Sequence, residues 1–165
     1  MQASLADVAR RLRSQAALTE PPYSTHAIIE HAFPDALVTG ADLPMQVHEA
    51  VSRTETGVVL IYRRSLTIPE QRVAIAHGVG HLVFDMHQHV TGFVREAFRE
   101  RRADAVAAEL LVPLDDLAPR LRCLPSRVAQ EQQIYLDHVD ELAGLFAVPA
   151  RLIRDRIRLL ITSAH

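Results

Sequence analysis

Leu5, Val8, Ala9, Leu12 and Ala16 recur at helical spacing behind Ser4 and Asp7, which are spaced as a capping box. The pattern predicts a first helix to about Ala17, stopped by Glu20-Pro21-Pro22. A second, short helix is expected over 25–32, ending before Phe33-Pro34 because the residue before proline resists helical geometry. The character then changes. Residues 36–39, 45–51 and 57–62 are short runs rich in branched side chains, separated by Gly40, Pro44 and the turn-like Thr54-Glu55-Thr56-Gly57. They predict a small antiparallel sheet.

Beyond Ser65 the periodicity is helical. Thr67-Ile68-Pro69-Glu70 joins a capping box to a proline near the first helical position. The stripe Ile75, Val79, Leu82, Val83 and Met86 carries that helix to about His87. Another is expected over 94–112, stopped by Pro113. Shorter helices are expected over 114–121, 126–133 and 136–146, and a last one from Val148-Pro149 to Leu160. A small sheet followed by a run of helices is an α+β arrangement.

Composition narrows the class without naming a chemistry. The 165 residues suffice for one domain with a core of its own and a small helical appendage. With 48% apolar residues and a net charge of -2, the chain reads as an ordinary soluble protein. Its longest apolar run, Val58 to Tyr62, is far short of a membrane span, and the first residues lack the apolar core of a secretion signal. A cytoplasmic protein is expected. Cys123 is the single cysteine, which excludes an intrachain disulfide and a cysteine-rich zinc site. All 18 basic residues are arginine, a skew that fits a GC-rich genome better than a functional demand.

The chemistry lies in Ala76-His77-Gly78-Val79-Gly80-His81. His77 and His81 are one helical turn apart, about 6 Å, so both imidazoles can reach one ion. This is the zinc-peptidase pattern H-E-x-x-H with glycine at the position of the glutamate. Spacing alone also fits two partly buried histidines held by backbone or acids. Context favours a metal. Two glycines inside a helix each cost about 1 kcal/mol relative to alanine, a cost understandable where another element passes close by. Glu100 shares a face with Ala103, Asp104, Ala107 and Leu111, so a small-residue stripe could bring its carboxylate to the histidines. Two histidines and one glutamate leave a fourth tetrahedral position open, the layout of a catalytic zinc. The plainer reading pairs Glu100 with arginine in a charged segment. His87 is a competing third ligand at metzincin spacing, ranked lower because Phe84 stands where that motif needs a glycine. Asp85 and His89 could help bind metal, but an exposed helix end is the plainer reading for both.

With these residues in hand, the chain resembles the ImmA/IrrE family of bacterial metallopeptidases. Members carry a segment close to R-F-T-x-A-H-E-x-G-H and then E-x-x-A-[ND]-x-F-A-x-x-L-L-x-P. Here Arg72 to His81 and Glu100 to Pro113 answer to the two motifs, with Ala103, Asp104, Ala107, Leu110, Leu111 and Pro113 matching and Val106 in place of the aromatic. The similarity runs over roughly residues 25–161. It implies a zincin-like domain over 1–135 and a helical, helix-turn-helix-like extension over 136–165. It implies zinc on His77, His81 and Glu100, with Asp104 behind the ligands as an orienting partner. It also implies a regulatory role, in stress response or mobile-element control, exerted on a protein partner that is a transcriptional repressor.

Gly78 departs from the family. The glutamate that follows the first histidine takes a proton from the attacking water and later passes it to the leaving amine. Losing such a base costs about 10²–10⁴-fold, so hydrolysis is expected to be weak or absent, as in a pseudoenzyme. Neither Glu96 nor Glu109 has a spacing that aims it at the site, so neither reads as a substitute base. If only the base is missing, Gly78→Glu is expected to create peptidase activity. A second class of function stays open. Arg151, Arg154, Arg156 and Arg158 lie on or beside a candidate recognition helix, where arginine contacts phosphate or guanine. A packing helix with a solvated basic face is the favoured reading, and the slightly acidic chain argues against DNA binding by this element alone.

Overall fold

The computed structural model describes residues 4–55, 57–85, 93–122 and 132–163. The elements run α1 Leu5–Gln15, α2 Thr25–Ala32, β1 Ala36–Ala41, β2 Glu49–Thr54, β3 Gly57–Arg63, α3 Ile68–Phe84, α4 Phe93–Leu111, α5 Leu114–Arg122, α6 Gln132–Phe146 and α7 Ala150–Ser163. Among the described residues this is an α+β fold of seven helices and one three-stranded sheet. Both capping boxes read from the sequence form, Ser4 with Asp7 and Thr67 with Glu70. No helix among the described residues is long and apolar enough to cross a membrane.

The sheet is mixed, which corrects the antiparallel expectation. Its order is β1-β3-β2, with β1 parallel to β3 and β2 antiparallel to it. The reason lies in residues 42–48, part of which has the branched pattern of a strand. Pro44 starts a turn that Val47 closes with a bond from its N–H to the Pro44 carbonyl, 2.9 Å. The segment crosses the end of β3, where Arg63 N–H donates to His48 O at 2.8 Å and Arg64 N–H to Ala41 O at 2.9 Å. The chain therefore reaches the far edge, turns at Thr54–Gly57, and returns between its two predecessors. The helix expected over 126–133 falls mostly outside the described residues, and α6 starts at Gln132 rather than near Leu136.

One core joins the sheet to the helices. Leu60 at the centre of β3, Ile75 and Val79 of α3, Val106 and Leu110 of α4, Phe146 of α6 and Ile153 of α7 belong to one buried cluster. Arg72 fastens α3 to its surroundings, donating from Nε to Ala147 O at 3.0 Å and from a terminal nitrogen to Tyr23 O at 2.7 Å. At the turn after α6, Ala147 takes a positive φ of 51° while Val148 N–H returns to Ala143 O at 3.0 Å, ending the helix before Pro149.

Among the described residues the α3–α4 contact is the most extensive helix pairing, and it includes a close approach at Gly80. A Cβ at that position would stand 2.7 Å from Ala103 Cα and 3.0 Å from its carbonyl oxygen. The obstruction is backbone, so the two helices touch with nothing between them. Gly80→Ala should therefore destabilise the protein by about 1–3 kcal/mol through overpacking, despite the roughly 1 kcal/mol that alanine gains in helix propensity. Chemical denaturation of the metal-free protein measures this. A variant as stable as the parent would show that the helices are not in contact there.

Candidate metal centre

Two faces of α3 are used at once. His77 and His81 turn into a groove of about 600 Å³ whose walls include Glu49 from β2 and Glu100 and Asp104 from α4. Gly78 turns toward the sheet. The imidazoles meet edge to face, with centroids 4.8 Å apart and planes at 88°.

Each ring is held from behind by a carboxylate. His77 Nδ1 lies 2.6 Å from Glu49 Oε1, and His81 Nδ1 lies 2.7 Å from Asp85 Oδ2. A neutral imidazole donating from Nδ1 leaves the Nε2 lone pair free, the arrangement that fixes a metal-binding histidine. Burial disfavours the His77 imidazolium, but the Glu49 hydrogen bond and the charges of Glu49, Asp104 and Glu100 outweigh it and raise its pKa above the ordinary value. Burial likewise works against the Asp85 carboxylate, yet His81, Arg102 and Arg99 reverse the balance and hold its pKa below the usual range. Asp85 is only 6% exposed and paired with Arg102 and Arg99, so it is not the exposed helix end expected from the sequence. Arg102 is itself stacked over Phe84, 4.7 Å from the ring centre.

In front of the rings the two Nε2 atoms share Glu100. His77 Nε2 is 3.6 Å from Glu100 Oε2, and His81 Nε2 is 3.5 Å from Glu100 Oε1. Two ligands about 2.05 Å from a tetrahedral zinc stand roughly 3.3 Å apart, so these spacings suit one shared ion better than direct hydrogen bonds. Asp104 Oδ1 lies 3.4 Å from His77 Nε2, on the same side. Each of the two Glu100 spacings runs to a different oxygen, and among the described residues the group whose ligand atoms all lie within 4.8 Å of one another is Glu49, His77 and His81. Glu49 is already engaged at Nδ1 of His77, so orienting that ring accounts for it more simply than ligation. The set of imidazole nitrogens and carboxylate oxygens fits zinc.

Of the sequence candidates, His77, His81, Glu100 and Asp104 thus meet in one groove. His87 and His89 lie outside the described residues. Glu109 forms an ion pair with the Arg156 guanidinium, away from the groove. Sequence reasoning missed Glu49, which a strand delivers from 28 residues upstream and which carries no local signal. It undervalued Asp85, whose signal was the one-turn spacing from His81.

On the candidate recognition helix, Arg156 is committed to the fold. Arg156 is 5% exposed, donating from Nε to Val112 O at 2.9 Å as well as pairing with Glu109. Arg158 pairs with Asp155 at 3.2 Å, and Arg151 lines the histidine groove.

Gly78 requires a correction. A Cβ there would lie 2.5 Å from Leu60 Cδ1, 3.0 Å from Leu60 Cγ and 3.3 Å from Val51 Cγ2. Leu60 is fully buried in the central strand, so its side chain must shift within the core to admit a Cβ. The base is absent and the first atom of any side chain at 78 would meet the core, so Gly78→Glu alone should not create activity. Gly78→Ala should lose about 1–3 kcal/mol, and in the Leu60→Ala background the same change should cost much less. A double-mutant cycle by denaturation measures that coupling. Strict additivity would separate the two positions.

The residues from 42 to 158 match the family model described as the IrrE N-terminal-like domain. No curated protein matches the chain significantly. Among solved structures, a Mycobacterium tuberculosis transcriptional regulator is similar, with a TM-score of 0.62 and 16% identity, covering 90% of this chain and 44% of that one. The chain thus spans less than half of that protein's length, and at this identity the likeness concerns the fold. With the family model covering 117 of the 165 residues, from 42 through 158, the chain belongs to the family of IrrE N-terminal-like domains.

Proposed function

We propose that this is a zinc-binding, zincin-like regulatory protein of the IrrE type in which peptide hydrolysis has been lost, and that it acts in the cytoplasm by binding a protein partner, a transcriptional repressor. One observation carries the metal reading: two imidazoles, each fixed at Nδ1 by a carboxylate, present Nε2 to the two oxygens of Glu100. The loss of hydrolysis rests on Leu60 packed at Gly78. The regulatory reading draws on the family and on a similarly folded protein that is itself a transcriptional regulator.

His77, His81 and Glu100 would hold the ion. Held by these three ligands alone, zinc would have Lewis acidity to offer a carbonyl or water. The chain's own groups set the rest of the chemistry. Glu49 and Asp85 keep both rings in the tautomer that ligates, while Arg99 and Arg102 keep Asp85 ionised. No carboxylate stands at position 78 to take a proton from water and return it to an amine, so binding can proceed where cleavage cannot. DNA binding by α7 alone is disfavoured because Arg156 is consumed by Glu109 and Val112.

Purified protein should carry one zinc per chain by elemental analysis, and Glu100→Ala should lower the affinity. The zinc-loaded protein should associate with a co-encoded repressor yet leave it intact over hours. Absence of zinc after loading would contradict the metal reading. Cleavage that disappears in His77→Ala would contradict the loss of hydrolysis.

A further inference from the structure

We propose that Asp104 is a fourth metal ligand, so that His77, His81, Glu100 and Asp104 enclose the ion and leave no position for water or a peptide carbonyl. The inference rests on the zinc reading above and goes beyond it. His77 is 9% exposed, and with Nδ1 occupied by Glu49 its Nε2 faces the carboxylates of Asp104 and Glu100. The nearest acidic oxygen to that nitrogen belongs to Asp104, at 3.4 Å, against 3.6 Å for Glu100. The three Nε2–carboxylate spacings, 3.4, 3.5 and 3.6 Å, each involve a different carboxylate oxygen, and each is near the roughly 3.3 Å between two ligands of one tetrahedral zinc.

Asp104 cannot act as the orienting carboxylate behind His77, because Glu49 fills that role at 2.6 Å. Among the described residues its contact with His77 is its only polar one. It stands one turn after Glu100 on the same face of α4, beside Ala103, whose backbone abuts Gly80. That abutment lets a side chain as short as aspartate reach the histidine helix. Its side chain is 74% exposed, which places it at the solvent mouth of the site. Four protein ligands make a closed, structural type of zinc site, whereas a catalytic site keeps one position open. Closure by Asp104 and the core packed against Gly78 then converge on the same outcome: an ion that shapes a surface and does not process a peptide.

Cobalt(II) substitution provides the test, because its visible absorption reports coordination number and ligand exchange without any catalytic assay. In the full chain loaded with cobalt, millimolar azide or acetohydroxamate should leave the spectrum unchanged. In Asp104→Ala, either additive should shift it, and zinc affinity should fall on the order of 10–100-fold or more. Asp104→Asn, which keeps size and helix position, should behave like the alanine variant. Circular dichroism of the metal-free variants checks that the exposed substitution leaves the fold intact. A parent spectrum that shifts with azide, or unchanged zinc affinity in Asp104→Ala, would overturn the fourth ligand while leaving three-ligand zinc binding in place. Failure of the parent to bind either metal would overturn both.

Discussion

The contact between Gly80 and Ala103 is the constraint on which the site depends. α3 carries both histidines and α4 carries both acids that face them, so the distance between the two helices sets whether four side chains can meet. A glycine on one helix and an alanine on the other bring the backbones together with no room for a further methyl group. That proximity is costly in helix propensity and is maintained by the core around it. Val79 and Ile75 of α3 and Val106 and Leu110 of α4 bury together in that core.

The same helix is pressed from its other face by the sheet. Leu60 and Val51 occupy the space over Gly78, so a residue that would otherwise carry a proton-transfer group has become part of the packing. The two glycines thus have different physical meanings. Gly80 draws the ligand-bearing helix in; Gly78 accommodates a leucine from the central strand. Chemistry and packing are coupled here because α3 has few residues free of either duty. Among 74–82, only His81 is more than marginally exposed.

Much of this was legible in the sequence, and the gaps have physical causes. The two capping boxes, the proline stops and the 3.6-residue stripes placed the helices, because those signals are local. The one-turn spacing of His77 and His81 and the small-residue face bearing Glu100 and Asp104 are also local, and both proved to face the same groove. Strand direction was not legible. Short branched runs report burial, and the parallel pairing of β1 with β3 depends on where residues 42–48 cross. Glu49 and Leu60 were missed for a related reason: each acts on α3 across the tertiary structure, at 28 and 18 residues from the positions it meets. Asp85 was within reach, since its spacing from His81 repeats that of His81 from His77. The arginines of α7 show why a one-dimensional pattern needs the structure. They look like a nucleic-acid face in one dimension, yet Arg156 is a buried strut between α7 and α4.

An ion shared across the α3–α4 contact is the central claim. A crystal structure of the zinc-loaded protein, with anomalous data collected at the zinc edge, tests it most directly. The expected result is one strong peak per chain, about 2.0–2.2 Å from His77 Nε2, His81 Nε2 and a Glu100 oxygen, with Glu49 and Asp85 still on the Nδ1 atoms. A peak coordinated by Glu49 instead of Glu100, or no peak in the groove at full zinc loading, would contradict it.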